Sequence, residues 1–166
     1  AAGKLALTAD RAVEMKAAGN RVVLVRQETS PDDIHGMNAA LGFLTARGGM
    51  TSHAAVVARR MGKVGVAGRC DAIEVLDNQS VRIGTQTFRE GDYLSVNGST
   101  GNVYGGDIPV VESEVIQVLQ GKMEASASEK YQMFESVLKW ADGVRKLKVR
   151  ANADVPDQAR IARSFG

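Results

Sequence analysis

The apolar and polar positions of this chain fall into two regimes that meet near Pro109. Before it, short apolar runs alternate with polar, glycine-bearing breaks. Gly3 to Leu7 reads as a strand, and Thr8 stands ready to cap a helix over residues 9–18 that Gly19-Asn20 ends. Arg21 to Arg26 is rich in Val and predicts a short buried strand. Ser30 follows as an N-cap, Pro31 as a first helical residue, and Asp32-Asp33 suit the positive end of a short helix. Leu41 to Ala46 predicts another buried strand. A helix capped by Thr51 or Ser52 then runs through "HAAVVARRM" to Gly62, and Lys63 to Gly68 returns as a strand. Residues 80–84 and 86–97 read as a small antiparallel set joined at Gly84. Asn97 to Gly101 reads as a turn, from which residues 102–106 leave. Strands with helices between them predict a layered β/α domain rather than a helical bundle.

Past Pro109 the pattern turns helical. Between Glu112 and Val144 glycine is sparse, and Val115, Val118 and Leu119 space out one apolar face. Phe134, Val137, Leu138 and Ala141 space out a second, and the "GKMEASASEK" stretch between them bends the path. Met133, Phe134 and Trp140, at helical spacing, read as packing residues, some of them without their partner in this chain. Lys146 to Asp154 predicts a strand, and Pro156 starts a last helix. One strand and one helix cannot bury a core of their own, so they are expected to open a larger body. The division that results is 1–111, a helical linker over 112–144, and 145–166.

Composition narrows the function classes. The 166 residues are 44% hydrophobic and 24% charged, ordinary for a globular protein. Net charge is only +2, and no Lys/Arg cluster interleaves with aromatics, so no nucleic-acid partner is expected. No apolar run has the length of a membrane span, and the N-terminus lacks the pattern of a signal peptide. The single cysteine, Cys70, excludes a disulfide framework and reads as a free, partly buried thiol; a cytoplasmic location is the expectation. One cysteine and two distant histidines make a poor zinc set, and no metal is expected.

Candidate chemistry concentrates in "ARGGMTSHAAVVARRMGK". Gly48 and Gly49 permit backbone geometries closed to other residues. A helix start presents unpaired N–H groups and a positive dipole end, which favour an anion. Thr51 and Ser52 add hydroxyl donors, and His53 adds a nucleophilic nitrogen at the same edge. Gly49, Thr51 and Ser52 are therefore candidates to hold a phosphoryl group on His53. A capping or packing histidine is the alternative at this point. This is not a Walker loop, because no Gly-Lys-Ser/Thr follows the glycines. His35, beside Asp32 and Asp33, reads as a surface residue. Arg47 is a phosphate contact or a structural brace of the loop. Ser99-Thr100-Gly101 reads as a donor-rich hairpin turn, with a place beside His53 as the alternative.

The string "GGMTSHAAVVARRMGK" strongly resembles the phosphohistidine signature of the pyruvate phosphate dikinases, in the PEP-utilising enzyme family. The resemblance extends to "VVLVRQETSPDDIHGMNAALGFLTARGG", "FREGDYLSVNGSTGNVYGG" and "KWADGVRKLKVRANADVPDQARIARSFG", the last similar to a linker and the opening of a C-terminal barrel. Met50 stands where phosphoenolpyruvate synthases and Enzyme I usually have Arg, which points to the dikinase branch. Gly65 stands where Cys is frequent, and Arg60 where Gly is common; both leave the local packing open. The resemblance implies an α/β fold, a layered β/β/α swivelling domain with a helical C-terminal extension. It implies that His53 takes the β-phosphoryl of ATP from an ATP-grasp domain, on the ring nitrogen remote from the backbone, and delivers it to pyruvate in a barrel. It also implies that Thr51 matches the threonine that a regulatory kinase/phosphorylase modifies in some members, that Mg2+ acts with ATP and pyruvate outside this chain, and that the full-length protein is a homodimer. Alone, the chain is expected to carry a phosphoryl group and not to turn over. A synthase or Enzyme I carrier, or a non-catalytic interaction module, are the alternative readings.

Overall fold

The computed structural model of the chain describes residues 1–68, 73–76, 79–148, 150–151, 153 and 155–165. It divides into two units, Ala1–Val110 and Val111–Gly166.

In the first unit, the apolar runs become strands, buried on both faces except at the edge of the sheet, where Val64 to Ala67 are half-buried. β1 (Ala2–Ala6), β2 (Val22–Arg26), β3 (Gly42–Thr45) and β4 (Val64–Ala67) lie parallel in the order β4-β3-β2-β1. β8 (Tyr93–Val96) adds antiparallel to β1, and β9 (Val103–Gly105) pairs antiparallel with β8. Neighbouring residues of β2 serve opposite layers, which is why the run is uniformly apolar. Val22 and Leu24 meet the helices, while Val23 and Val25 face the other side.

α1 (Ala9–Ala17), α2 (Ile34–Ala39) and α3 (His53–Met61) supply the helical layer over one face. The predicted caps are in place: Thr8 Oγ1 accepts from Arg11 N at 3.2 Å, and Pro31 opens a single 3-10 turn, Pro31–Asp33, that leads into α2. Lys63 locks the end of α2, its Nζ donating to the carbonyls of Met37, Asn38 and Ala40 at 3.0, 2.6 and 2.6 Å. A separate antiparallel sheet, β5 (Ile73–Val75), β6 (Ser80–Ile83) and β7 (Gln86–Arg89), covers the opposite face through Ile73, Val81 and Phe88. The architecture is therefore an α/β fold in β/β/α layers.

One reading along this unit is corrected. Residues 86–97 do not form one arm of a hairpin set: β7 ends at Arg89 and β8 belongs to the larger sheet. The break is a turn at Glu90-Gly91, where Gly91 has φ +92 and Asp92 Oδ2 accepts from Arg89 N at 2.7 Å. Alternating apolar residues continue across it because both sheets face the same core. β5 was not read from the sequence, and Cys70 lies outside the described residues.

In the second unit, α4 (Glu114–Leu119) and α5 (Glu129–Val144) are the two helical segments, separated by a non-helical bend and a 3-10 turn at Ala125–Ala127. Glu114 joins the two helix starts. Its carboxylate accepts from the buried Ser128 Oγ at 2.9 Å and pairs with Lys130 Nζ at 2.6 Å. These contacts hold its pKa below the ordinary glutamate value. Phe134 packs edge-on against Phe165, beyond α6 (Pro156–Ser164), and Met133 and Trp140 are exposed. The strand expected over residues 146–154 is absent among the described residues. An isolated strand leaves its backbone groups unpaired, and no strand among the described residues of this unit offers an edge to it.

Candidate functional site

The site forms where the parallel strands end. β2 and β3 run side by side, and their pairing continues past the sheet: Ala46 N donates to Arg26 O at 3.2 Å, and Arg47 N to Gln27 O at 2.8 Å. That brings the loop after β2, residues 27–30, against the loop after β3, residues 46–52. Such C-terminal strand edges are where open α/β sheets place their ligand sites.

The second loop turns tightly into α3. Ser52 is its N-cap, with Oγ accepting from Ala55 N at 3.3 Å and donating to Gly49 O at 2.8 Å. Ser52 N also donates to Gly49 O at 3.0 Å. The glycine that this turn requires is Gly48. Its φ is +150, and a Cβ there would sit 3.0 Å from Ser52 Oγ. Gly49 has no such constraint, since a Cβ on it would meet open space. Arg59 reaches back along α3, its Nη2 donating to Met50 O at 2.7 Å and bracing the loop.

His53 is the first residue of α3. It is partly buried, and its Nδ1 lies 3.3 Å from Thr29 Oγ1, a hydroxyl brought from the other loop. Nε2 has no hydrogen-bond partner among the described residues. At this helix start the N–H groups of His53 and Ala54 have no intrahelical acceptor, because the ladder begins with Val56 N to Ser52 O at 3.0 Å. Thr51 is exposed, and its hydroxyl is without a partner among the described residues. The corner thus combines a nucleophilic ring nitrogen, an uncommitted hydroxyl, and N–H groups at the positive end of a helix.

The remaining sequence candidates separate. Ser52 is at the site, but its hydroxyl proton is committed to Gly49, so it shapes the loop. Arg47 is exposed on the same loop and forms no ion pair among the described residues. The Asn97–Gly101 turn is not beside His53. Its Gly98 abuts Val64 and Gly65, at the opposite end of α3, a helix of nine residues that spans about 13 Å. Asn97 Oδ1 accepts from Ser99 N and Thr100 N, which accounts for that donor-rich string as a turn. His35 pairs on the surface with Asp10 at 2.9 Å. Among the described residues no three His, Cys, Asp or Glu side chains gather in a metal-binding group. Nor is any helix among them long and apolar enough to cross a membrane.

Thr29 was missed by the sequence reading, which treated "TSPDD" only as a helix start. Its signal was topological: adjacent parallel strands put their following loops together. Gly65, whose packing the sequence left open, sits at a close approach of helix and sheet. A Cβ at Gly65 would lie 2.9 Å from Ala58 Cβ and 3.1 Å from Phe43 Cε2, so α3 rests directly on the sheet there.

Comparison with known proteins gives the chain's relatives. The profile of the PEP-utilising enzyme mobile domain matches residues 18–101. The chain is 49% identical to pyruvate, phosphate dikinase of Clostridium symbiosum over 167 aligned positions, covering all of this chain and 17% of that protein. It is 47% identical to the chloroplastic pyruvate, phosphate dikinase of Mesembryanthemum crystallinum, covering 16% of it, and 42% identical to the enzyme of Giardia intestinalis, covering 17%. The chain spans about a sixth of the length of these curated relatives.

Proposed function

Because this chain belongs to the family of PEP-utilising enzymes, whose mobile domain it matches, we propose that it carries a phosphoryl group on His53 between two active sites of a longer protein. The observation that carries the proposal is the ring itself: Nδ1 is engaged by Thr29 while Nε2 is unpartnered beside the start of α3. The relatives are named pyruvate, phosphate dikinases, and the overall reaction in this proposal is that ATP, phosphate and pyruvate give AMP, pyrophosphate and phosphoenolpyruvate.

In this reading an ATP-grasp domain of the same polypeptide presents ATP. The Nε2 lone pair attacks the β-phosphorus, an N–P bond forms, and the bond to the AMP oxygen breaks with its electron pair on that oxygen. Inorganic phosphate takes the γ-phosphoryl as pyrophosphate. The domain then moves, and the enolate oxygen of pyruvate, held in a C-terminal barrel, takes the phosphoryl from Nε2 and returns the lone pair to the ring. Here the chain's part is to hold and shield the phosphoryl group. The His53 and Ala54 N–H groups and Thr51 stabilise its oxygens, while Ser52, Gly48 and Arg59 keep the loop in shape. Mg2+ belongs to the nucleotide and pyruvate sites outside this chain. A phosphate placed on Thr51 by a regulatory kinase/phosphorylase would add about two negative charges beside the ring and repel the incoming group. The reading also includes a cytoplasmic, homodimeric full-length protein.

The test is the full-length protein with His53→Ala. It is expected to make no phosphoenolpyruvate and to hold no acid-labile, base-stable phosphate. Wild-type rates in that variant would overturn the proposal. Pyrophosphate formation that depends on inorganic phosphate separates the dikinase reaction from a synthase or Enzyme I type.

A further inference from the structure

We propose that Thr29 is a positioning residue that fixes the tautomer of His53, an inference that rests on the carrier reading and deepens it. A neutral imidazole has its proton on one nitrogen and its nucleophilic lone pair on the other. Whichever group meets Nδ1 therefore decides whether Nε2 is reactive. The group 3.3 Å from Nδ1 is the Thr29 hydroxyl, which has no other partner among the described residues. A hydroxyl can donate or accept, so the reaction decides its role. When Nε2 forms its bond to phosphorus, the ring becomes cationic and keeps its proton on Nδ1. An oxygen that accepts from that N–H strengthens its bond as the charge grows, whereas a donor would be left facing a donor. Thr29 thus accepts from Nδ1–H, leaves the lone pair on Nε2, and stabilises the phosphorylated ring.

The loop is built to hold this hydroxyl in place. Asp33 is buried; its Oδ2 accepts from Ser30 N at 2.9 Å, while its Oδ1 pairs with Arg26 Nε at 3.3 Å. Arg26 in turn donates from Nη1 to Leu7 O at 3.1 Å, and Pro31 fixes the following turn. The segment that follows Thr29 is therefore tied to β2 and to the residue after β1, on elements separate from the loop that carries His53.

Two-bond 1H–15N spectra of the 15N-labelled chain, at a pH where the ring is neutral, read the protonated nitrogen without any phosphoryl donor. The wild type is expected to show mainly Nδ1–H. Thr29→Val should move the population toward Nε2–H with an unchanged amide spectrum, and Thr29→Ser should restore it. Labelling with phosphoramidate, followed by 31P, should slow about tenfold or more at Nε2 in Thr29→Val and recover in Thr29→Ser. A wild-type ring protonated mainly on Nε2, or a tautomer unmoved in Thr29→Val, overturns the proposal while leaving the carrier reading intact. Phosphoenolpyruvate formation by His53→Ala would remove the carrier reading whatever the spectra show.

Discussion

Ser52 spends one hydroxyl on two bonds, accepting from the first turn of α3 and donating to Gly49. Ser52→Ala should cost about 1 kcal/mol through loss of the cap. Urea denaturation followed by far-UV circular dichroism checks it, since the sole Trp140 reports on the second unit. The midpoint should fall with the slope unchanged. Gly48→Ala should cost more, about 1–3 kcal/mol, because it combines a positive φ with a Cβ pressed on Ser52 Oγ. Gly49→Ala should be close to neutral by the same measure; equal losses at both glycines would contradict the geometry. At this scale the sequence was half legible. The pair Gly48-Gly49, the cap and the histidine were visible in the string, because each is a local signal. Which glycine carried the strain was not, because φ at Gly48 is set by the distant chain it must clear, Ala67 on β4 included. Thr29 was invisible for a related reason: its importance lies in a contact across 24 positions.

Helix and strand placement was largely readable for β1 to β4 and α1 to α3, where an apolar run of the right length had a cap or a glycine at its end. It failed at residues 86–97, whose alternation fits two sheets equally well, and at the described residues of 146–154, where no described strand of the second unit offers an edge to pair with. Packing between elements was not readable, and Gly65 shows why. Its absent side chain admits Ala58 of α3, so helix and strand approach without a spacer. Gly65→Ala should destabilise the first unit by about 1–3 kcal/mol. In the double variant Gly65→Ala with Ala58→Gly the two losses should add to less than their sum, by about 1 kcal/mol, since removing the opposing methyl relieves the clash. Strict additivity in the denaturation cycle would mean that α3 is held elsewhere. In the second unit, Glu114 couples α4 to α5 by a pH-dependent contact. Its folded pKa lies below the ordinary 4.5, so the contact's contribution is fully present above 4.5 and is lost as pH falls through the lowered value. Glu114→Gln should flatten that acid limb, followed by Trp140 fluorescence. A limb as steep as the wild type's would assign it to other carboxylates.

On the scale of the whole molecule, the proposed carrier role asks one histidine to serve two chemistries. A phosphoryl transfer needs its reacting atoms within about 3.5 Å, so in that proposal His53 would have to travel between a nucleotide and a pyruvate held in separate domains. The relatives, about six times as long as this chain, have room for both sites. Within the chain, Gly106 N donates to Tyr93 O at 2.8 Å and Ile108 N to the buried Ser95 Oγ at 3.0 Å, so the segment up to Ile108 stays with the first sheet. Pro109, Val110 and Val111 are exposed, form neither helix nor strand and make no backbone hydrogen bond among the described residues. A change of backbone angle at 109–111 would therefore break no ladder contact. Hinges of this kind carry domain movements on the microsecond to millisecond scale. The consequence is measurable in the full-length protein with one spin label at Lys16, exposed on α1 and away from His53, and a second in the pyruvate-binding part. Pulsed dipolar spectroscopy should give at least two distances, whose populations shift one way with a non-hydrolysable ATP analogue and the other way with phosphoenolpyruvate. His53→Ala should leave both distances in place while abolishing transfer, because the motion belongs to the linkers and the chemistry to the ring. One distance, unmoved by either ligand, would rule out delivery by domain movement.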